Sequence, residues 1–555
     1  MSVTTPALVT QRGARRLPRL ALLLFCGAYV LPGVLGRDPW RNADLVAFGQ
    51  MVSMAEGRTA WLAPALGGVP VGDAALLPHW LGAIFIAMLS PWLDSAIAAR
   101  LPFALLLAAT LALTWYATFH LARTDNAQPV PFAFGGEAEP TDYARAIADG
   151  GVLALIATLG LLQLGHETTP ELAQLFSVSL FLYALAAAPF RVARSRWAAM
   201  WALLMLAGSG APSMAVAIGI GGCLVCRRSA YTQVRSFAFW VAGATIAAAL
   251  LATALGAWRW RGVAMGLGGW IDIGRQWIWF LWPTWPLVLW TLWRWRQHIL
   301  HRHIAVPLVL VLVALCSSVM MGGSDRALML GVPGMAVLAA FALPTFKRST
   351  AAATDWFSMF FFTLCALVIW VIYVAMQTGV PVKPAANVAK LAPGFVASFS
   401  PLSLFAAAAA TLAWLWLLRW RTGRHREAVW KSMVLPAGGV ALCWLLLMTL
   451  WLPLLDYARS ARPLVQRLGL WLPAGACVLA PAAAPALVAA LEHIGRYRVD
   501  ARLGSAPSAA CTHMLRVSRS GKLPAVAEDW ELIAELRRPT DREEITALYR
   551  RRALP

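Results

Sequence analysis

Residues 77–93 read LPHWLGAIFIAMLSPWL, and whether they cross a bilayer or lie on it decides which side everything after them faces. The run holds about 15 apolar residues between prolines, short of the ~20 that a helix needs to span roughly 30 Å of hydrocarbon. His79, Trp80 and Trp92 stand near its ends, as on a helix lying at the interface. Parity decides the choice. If 77–93 crossed, the arginine clusters RVARSR (191–196), CRRS (226–229), RWRQHILHRH (294–303), FKRS (346–349) and RWRTGRHR (419–426) would all fall outside. As a surface helix it puts each of them in the cytoplasm, which the positive-inside bias requires.

Outward from there, 60% of the 555 residues are hydrophobic and only 13% charged. A soluble multidomain chain needs polar helix faces or alternating strands, and 236–257 and 401–418 offer neither. The expected fold is an all-α polytopic membrane protein with about 13 transmembrane helices, juxtamembrane helices in the first periplasmic loop, and a small C-terminal periplasmic α/β domain. The formal charge of +21 sits mainly in the short clusters between apolar runs. Basic and aromatic residues do not interleave outside the membrane flanks, so nucleic acid is not an expected partner. The eight cysteines are scattered, five of them (Cys26, Cys223, Cys316, Cys365, Cys443) inside apolar runs, with no metal-type Cys/His spacing.

The basic QRGARRLPR (11–19) leads into the first span without a small-residue cleavage site before Asp38, so it reads as a retained helix after a cytoplasmic N-terminus, 1–18. The transmembrane domain covers 19–452, with the first periplasmic loop at 37–97 and a solvated cytoplasmic insert at 122–150. Spans are expected near 19–36, 99–121, 151–166, 171–190, 197–208, 212–226, 236–257, 276–293, 304–321, 327–345, 356–376, 400–418 and 432–452. The short pair around Gly208-Ser209-Gly210 suits broken half-helices at the outer surface. An odd count leaves the N-terminus in the cytoplasm and 453–555 in the periplasm of a bacterial inner (plasma) membrane. In that tail GACVLAP (475–481), RYRVDARL (496–503) and HMLRVSRS (513–520) read as strands, and PALVAALEHIG (485–495) and DWELIAELRR (529–538) as amphipathic helices.

Polar residues on the outer side gather in a few places. Asp38, Arg41, Asn42, Asp44, Glu56 and Arg58 follow the first span; Asp73 and His79 flank and enter the surface helix; His166, Glu167 and Glu171 fill one span junction and Ser324, Asp325 and Arg326 another. Charges at membrane depth are functional candidates by default. A transporter buries its charges near the midplane, whereas here they stand at the outer ends. That favours an interfacial enzyme acting on a lipid-borne anionic substrate.

The first loop reads NADLVAFGQMVSMAEG (42–57), RTAWLAP (58–64) and GGVPVGDAALLPHWL (67–81). This order resembles the GT-C class of polytopic glycosyltransferases, nearest to the aminoarabinose–lipid A transferase and protein O-mannosyltransferase-like family, whose loop carries an acidic catalytic motif, then G-D-W-L-x-P, then G-x-P-x-x-E-K-P-P-L-x-Y-W-L. The resemblance puts Asp44 on the family's catalytic acid and Asp73 on its second-motif glutamate, with Trp61, Pro64, Gly68, Pro70, Trp80 and Leu81 retained. TTPELAQLFSVSLFLYAL (168–185) is similar to the acidic element before a later span, which puts Glu171 on a second acid; GGSDRALMLGVPGMAVLAAF (322–341) is similar to S-x-R-x-x-Y-L-L-P-x-x-P, which puts Arg326 on a phosphate.

The resemblance implies transfer of a sugar, with inversion, from a polyprenyl-phosphate donor to a lipid (lipid A-like), glycan or protein acceptor. Such chemistry needs a carboxylate beside the acceptor oxygen and cations on the departing phosphate, where an arginine fork binds well. The expected base is Asp44, with Glu171 and Asp73 orienting acceptor or sugar and Glu167 competing for the place of Glu171. Arg326, with Arg41 or Arg58, takes the phosphate; His79 and Asp38 are further contacts, although Asp38 before Pro39 also suits a turn or cap. A divalent metal held by several carboxylates, Asp44 among them, would suit a phosphate substrate. The family's lysine and prolines after the second-motif acid are Ala74, Ala75 and Leu76 here, and its T-K-G is GSG (208–210). Two cationic contacts are therefore missing, which keeps a degenerate polyprenyl-phosphate-binding relative in view beside a lipid-linked-sugar flippase.

Overall fold

The computed structural model describes residues 5–40, 42–72, 75–258, 262–263, 266–422, 428–502, 511–518, 526, 529–541 and 543–552. Arg41 and Asp73 lie outside the described residues. Helix α1 (Arg19–Val30) ends earlier than the apolar run suggests, because Pro32 follows it and Gly33 turns the chain at φ +85°. The first loop then folds into α2 (Ala43–Ala55), a hairpin of β1 (Ala65–Leu66) and β2 (Val69–Pro70), and α3 (Leu76–Leu89). Gly67 and Gly68 both take positive φ in the two-residue hairpin turn. At 14 residues α3 is about 21 Å long, short of the roughly 30 Å of a hydrocarbon core, and it packs on α2.

Helices α4 (Ser95–Ala122), α5 (Pro140–Ala157), α6 (Leu161–Leu164), α7 (Pro170–Ala187), α8 (Val192–Gly208) and α9 (Pro212–Arg227) follow. Among the described residues eight helices are long and apolar enough to cross a membrane: α4, α7, Thr232–Ala254, Arg302–Met320, Asp325–Thr345, Ser349–Thr378, Pro401–Arg421 and Val429–Leu450. The other five expected crossings only overlap α1, α5, α8, α9 and Thr284–Arg294, which run from 11 to 18 residues; the span expected at 151–166 shares just 151–157 with α5. The α8–α9 pair meets at Gly210 (φ +83°) as helices of 17 and 16 residues, longer than half-helices.

The solvated insert expected over 122–150 is corrected. Pro140 at the first helical turn and Asp142 beside it start α5, so Tyr143, Ala146 and Asp149 already belong to a buried helix face. Asp149 accepts from the Trp115 indole and the Leu17 backbone, both at 2.8 Å. Only the stretch before Pro140 is a loop, and it lies against the N-terminal segment through Val130 N–Ala7 O (3.0 Å) and Ala138 N–Val9 O (3.1 Å). Tyr231 donates to Asp125 (3.1 Å) and Val429 N to Gly13 O (3.0 Å), so the arginine-rich turns gather at this end of the bundle. Asp38, Asp44, Glu167, Arg326 and Asp456 sit at the other.

The C-terminal domain is a five-stranded sheet in the order β4-β3-β5-β7-β6, from β3 (Cys477–Leu479), β4 (Arg498–Asp500), β5 (His513–Ser518), β6 (Trp530–Arg537) and β7 (Ile545–Arg551). Helix Pro485–His493 forms as expected and docks on α2, where Ala489 meets Gly49. DWELIAELRR, expected as a helix, is instead β6, paired antiparallel to β7. A register shift between Leu532 and Ala534 resets the alternation, so the more sheltered Trp530, Ile533, Ala534 and Leu536 fall at helix-like spacing. Cys477 and Cys511 form a disulfide between β3 and the approach to β5, leaving six cysteines unpaired. Denatured, unreduced protein should therefore take up six maleimide labels and reduced protein eight; eight in both states would remove the bridge.

Candidate active site

The site is assembled around residues 163–171, QLGHETTPE, which turn between α6 and α7 and send side chains to both sides. On one side stands Asp44, in the first turn of α2 and 1% exposed. Its Oδ1 accepts from the Thr168 backbone (2.8 Å) and hydroxyl (2.7 Å), and its Oδ2 from the Trp40 backbone (3.1 Å) and Arg37 Nη2 (3.3 Å). Arg37 also donates to the His166 carbonyl (2.7 Å), and Arg100 of α4 donates to the Arg37 carbonyl. Burial alone pushes the Asp44 carboxyl up, but the Arg37 and Arg100 guanidiniums and the Thr168 bonds outweigh it and hold the group below the usual carboxylate range. A carboxylate with about four lone-pair positions that accepts four donors has none left for an acceptor hydroxyl in this arrangement.

On the other side, Arg326 enters from the short Asp325–Met329 helix, capped by Ser324. Its Nη2 meets Glu167 Oε2 at 2.5 Å, and its Nη1 meets Glu171 Oε2 (3.2 Å) and Thr169 Oγ1 (3.1 Å). Two residues singled out by sequence, Arg326 and Glu171, are thus in direct contact. The Glu167 side chain is 5% exposed and that of Glu171 26%, which makes Glu171 the carboxylate that solvent and substrate reach. Burial and the charge of Asp44 push Glu167 up, against Arg326 and Gln163. Gln163 Nε2 donates to Glu167 (3.0 Å) and its Oε1 accepts from Arg459 (2.6 Å), so one polar chain runs from Arg459 to Glu171.

Trp40 sits between two guanidiniums, Arg37 at 4.7 Å and Arg459 at 4.9 Å from its ring, and its indole donates to Asp456 (2.8 Å). Burial, with the Asp38 charge adding to it, pushes Asp456 up to about 6 despite the Trp40 hydrogen bond. Asp38 is gripped by Arg462 (2.8 and 2.6 Å) and Ser460 (2.8 Å); these contacts outweigh its burial and hold it below the usual range. Beside this chain opens a cavity of about 370 Å³, walled by Trp40, Trp444, Met448 and Trp451, with Gln163, Asp325 and Arg459 at its polar edge. An apolar wall with few convergent polar groups is the usual make-up of a ligand site.

The remaining expected residues are placed elsewhere. His79 is fully buried in α3, with no surface for a substrate. Arg58 binds Glu56 (2.7 Å) and Glu492 of the C-terminal domain (2.8 Å), and ties the loop to that domain rather than joining Arg326. Asp38 serves the contact with Arg462. Among the described residues no three His, Cys, Asp or Glu side chains converge to hold a metal ion, and the Asp44 oxygens face hydrogen-bond donors, so no metal step is derived. Arg100, Asp456, Arg459 and Gln163 were not expected. Asp456 and Arg459 lie in LLDYARSAR (454–462), charges directly after an apolar run, the same signal as GRDPWRNAD (36–44).

No protein-family model matches this chain, and no curated protein does. Among solved structures, the crystal structure of ArnT from Cupriavidus metallidurans bound to undecaprenyl phosphate is similar over 96% of this chain and 97% of that one, with a TM-score of 0.56 and 12% identity. The apo state of ArnT aligns over 96% of both chains with a TM-score of 0.55 and 12% identity. The cryo-EM structure of arabinosyltransferase EmbB from Mycobacterium smegmatis aligns with 80% of this chain and 42% of that one, at 16% identity and a TM-score of 0.41. The likeness to ArnT over nearly the whole chain shows the fold: a polytopic GT-C architecture with a small C-terminal sheet domain.

Proposed function

We propose that this chain is a membrane glycosyltransferase that moves a sugar from a polyprenyl-phosphate donor to a lipid, glycan or protein acceptor at the periplasmic face. The observation that carries the proposal is the Glu167–Arg326–Glu171 cluster standing next to an aromatic, apolar cavity on an ArnT-like fold. The ArnT structure was solved with undecaprenyl phosphate, and a cavity walled by tryptophans and methionine beside arginines suits a prenyl chain with a phosphate at its head. Two observations support the periplasmic side. The arginine-rich turns gather at the opposite end, as the positive-inside bias asks of a cytoplasmic face, and the disulfide lies in the domain on the site's side, as an oxidising compartment allows. That orientation puts the N-terminus in the cytoplasm of a bacterial inner membrane.

In this reading Glu171 accepts the proton of the acceptor hydroxyl as the new bond to the anomeric carbon forms, while the bond from that carbon to the phosphate oxygen breaks. Inversion follows from attack opposite the leaving group. Three of the five N–H donors of Arg326 hold Glu167, Glu171 and Thr169, and the other two take the departing phosphate, whose charge they stabilise. Asp44, proposed from the sequence as the base, holds Arg37, Trp40 and Thr168 around the turn that aims Glu167 and Glu171.

The test is transfer of labelled sugar from a panel of polyprenyl-phosphate sugars by purified protein in nanodiscs, with Arg326→Ala as the comparison. Charge-assisted hydrogen bonds contribute ~1.5–3 kcal/mol, so the variant should bind donor about 10- to 100-fold more weakly. A thermal unfolding midpoint measured beside it separates weaker donor binding from a loss of fold. An unchanged donor affinity overturns the phosphate role of Arg326. Arg326-dependent donor binding with no transfer from any donor points to a binding protein.

A further inference from the structure

The sequence holds no acidic residue between Asp355 and Glu427. In the middle of that tract lies the helix Val382–Leu391, VKPAANVAKL, none of whose ten residues is buried. It joins Arg348–Thr378 to Pro401–Thr422, so both of its ends stand where two long apolar helices reach the same membrane surface. Its side chains sort into three faces at helical spacing. Pro384, Ala385 and Val388 are half-buried toward the bundle; Val382, Ala386 and Ala389 form an exposed apolar stripe; Lys383, Asn387 and Lys390 form an exposed polar one. Beyond it, Val396 and Phe399 stand 84% and 60% exposed.

A ten-residue helix is marginal in water without a surface on which to bury its apolar stripe, since isolated helices below ~12–15 residues do not hold. Here the protein supplies one face and the membrane is the surface next to the second. We propose that Val382–Leu391 is an interfacial helix that binds anionic phospholipid headgroups: Val382, Ala386 and Ala389 rest at the acyl boundary while Lys383 and Lys390 take two lipid phosphates. The lysines are two turns apart, ~10 Å along the axis, which places them on separate headgroups. With no carboxylate in the tract to compete for them, their partner is the lipid. The helix is tied to the site by Tyr457, whose hydroxyl donates to Pro393 O (2.7 Å) and whose ring packs on Phe395, and Tyr457 lies between Asp456 and Arg459 in the Leu452–Arg459 helix. The proposal does not depend on the transferase reading.

The test places dansyl-alanine at Ala386 of the full chain in nanodiscs of phosphatidylcholine containing a small fraction of doxyl-labelled phosphatidylglycerol or, separately, doxyl-labelled phosphatidylcholine. Both labels should quench, and the phosphatidylglycerol label should be enriched about fivefold, the factor that ~1 kcal/mol per juxtamembrane cation gives. The double variant Lys383→Gln, Lys390→Gln changes exposed residues that make no side-chain hydrogen bond or ion pair among the described residues, and it should keep the quenching but lose the preference. Absence of quenching puts the helix in water and overturns the proposal. Equal quenching by the two lipids, or a preference that survives the double variant, overturns the role of the lysines.

Discussion

Asp44→Asn lowers the stability of the detergent-solubilised protein by about 3–5 kcal/mol, the usual cost of removing one partner from a buried ion pair, and abolishes transfer with it. Asp44 is 1%, Arg37 2% and Arg100 3% exposed, so the substitution strands Arg37 away from water and removes one of the three carboxylates, with Asp456 and Asp38, whose charges act on Arg100. The amide cannot replace the carboxylate in the hydrogen bonds either. Turned one way its NH₂ meets the Thr168 N–H, turned the other it meets the Trp40 N–H and the Arg37 guanidinium, and in both cases a donor faces a donor. A thermal unfolding midpoint followed by intrinsic fluorescence reads the loss. The alternative has a different signature: a base at Asp44 predicts that transfer disappears while the midpoint stays, and that outcome would return the catalytic role to it.

The long helices were legible because a lipid-facing helix must be apolar along its length and must satisfy its own backbone, which leaves an unmistakable composition. Residues 77–93 were legible as a helix, Leu76–Leu89, from the same apolar composition in a shorter run. Legibility failed where pairing or packing overrides local pattern. The bulge in β6 gave a strand the spacing of a helix, and the disulfide joins cysteines 34 residues apart that only the sheet brings together. The 122–150 stretch looked solvated because it carries acids such as Asp149, which lies within α5 and is buried against Trp115 and Leu17. At the site, Asp44, Glu171 and Arg326 announced themselves as charges at outer helix ends, but their grouping depends on the 163–171 turn. That turn brings Glu167 closer to Arg326 than Glu171, and holds Asp44 through the Thr168 backbone and hydroxyl.

Glu171→Gln should leave the fold and the donor affinity in place and cut turnover by about 10²- to 10⁴-fold, the contribution of a positioned general base. The side chain is 26% exposed and, among the described residues, makes one hydrogen bond, from Arg326 Nη1, which a glutamine carbonyl can keep. Among the described residues its Oε1 has no hydrogen-bond donor, so a lone pair remains for the acceptor hydroxyl, the feature that Asp44 lacks. The split between turnover and donor binding is the informative readout. In the proposed mechanism Arg326→Ala acts on donor binding, because Arg326 is assigned the phosphate, whereas Glu171→Gln acts after both substrates are bound, when the hydroxyl must lose its proton. Turnover within a few-fold of wild type would assign the proton to another group. Glu167 is the nearest candidate, since its raised affinity for protons suits it to accept one and its 2.5 Å bond to Arg326 keeps it beside the same phosphate.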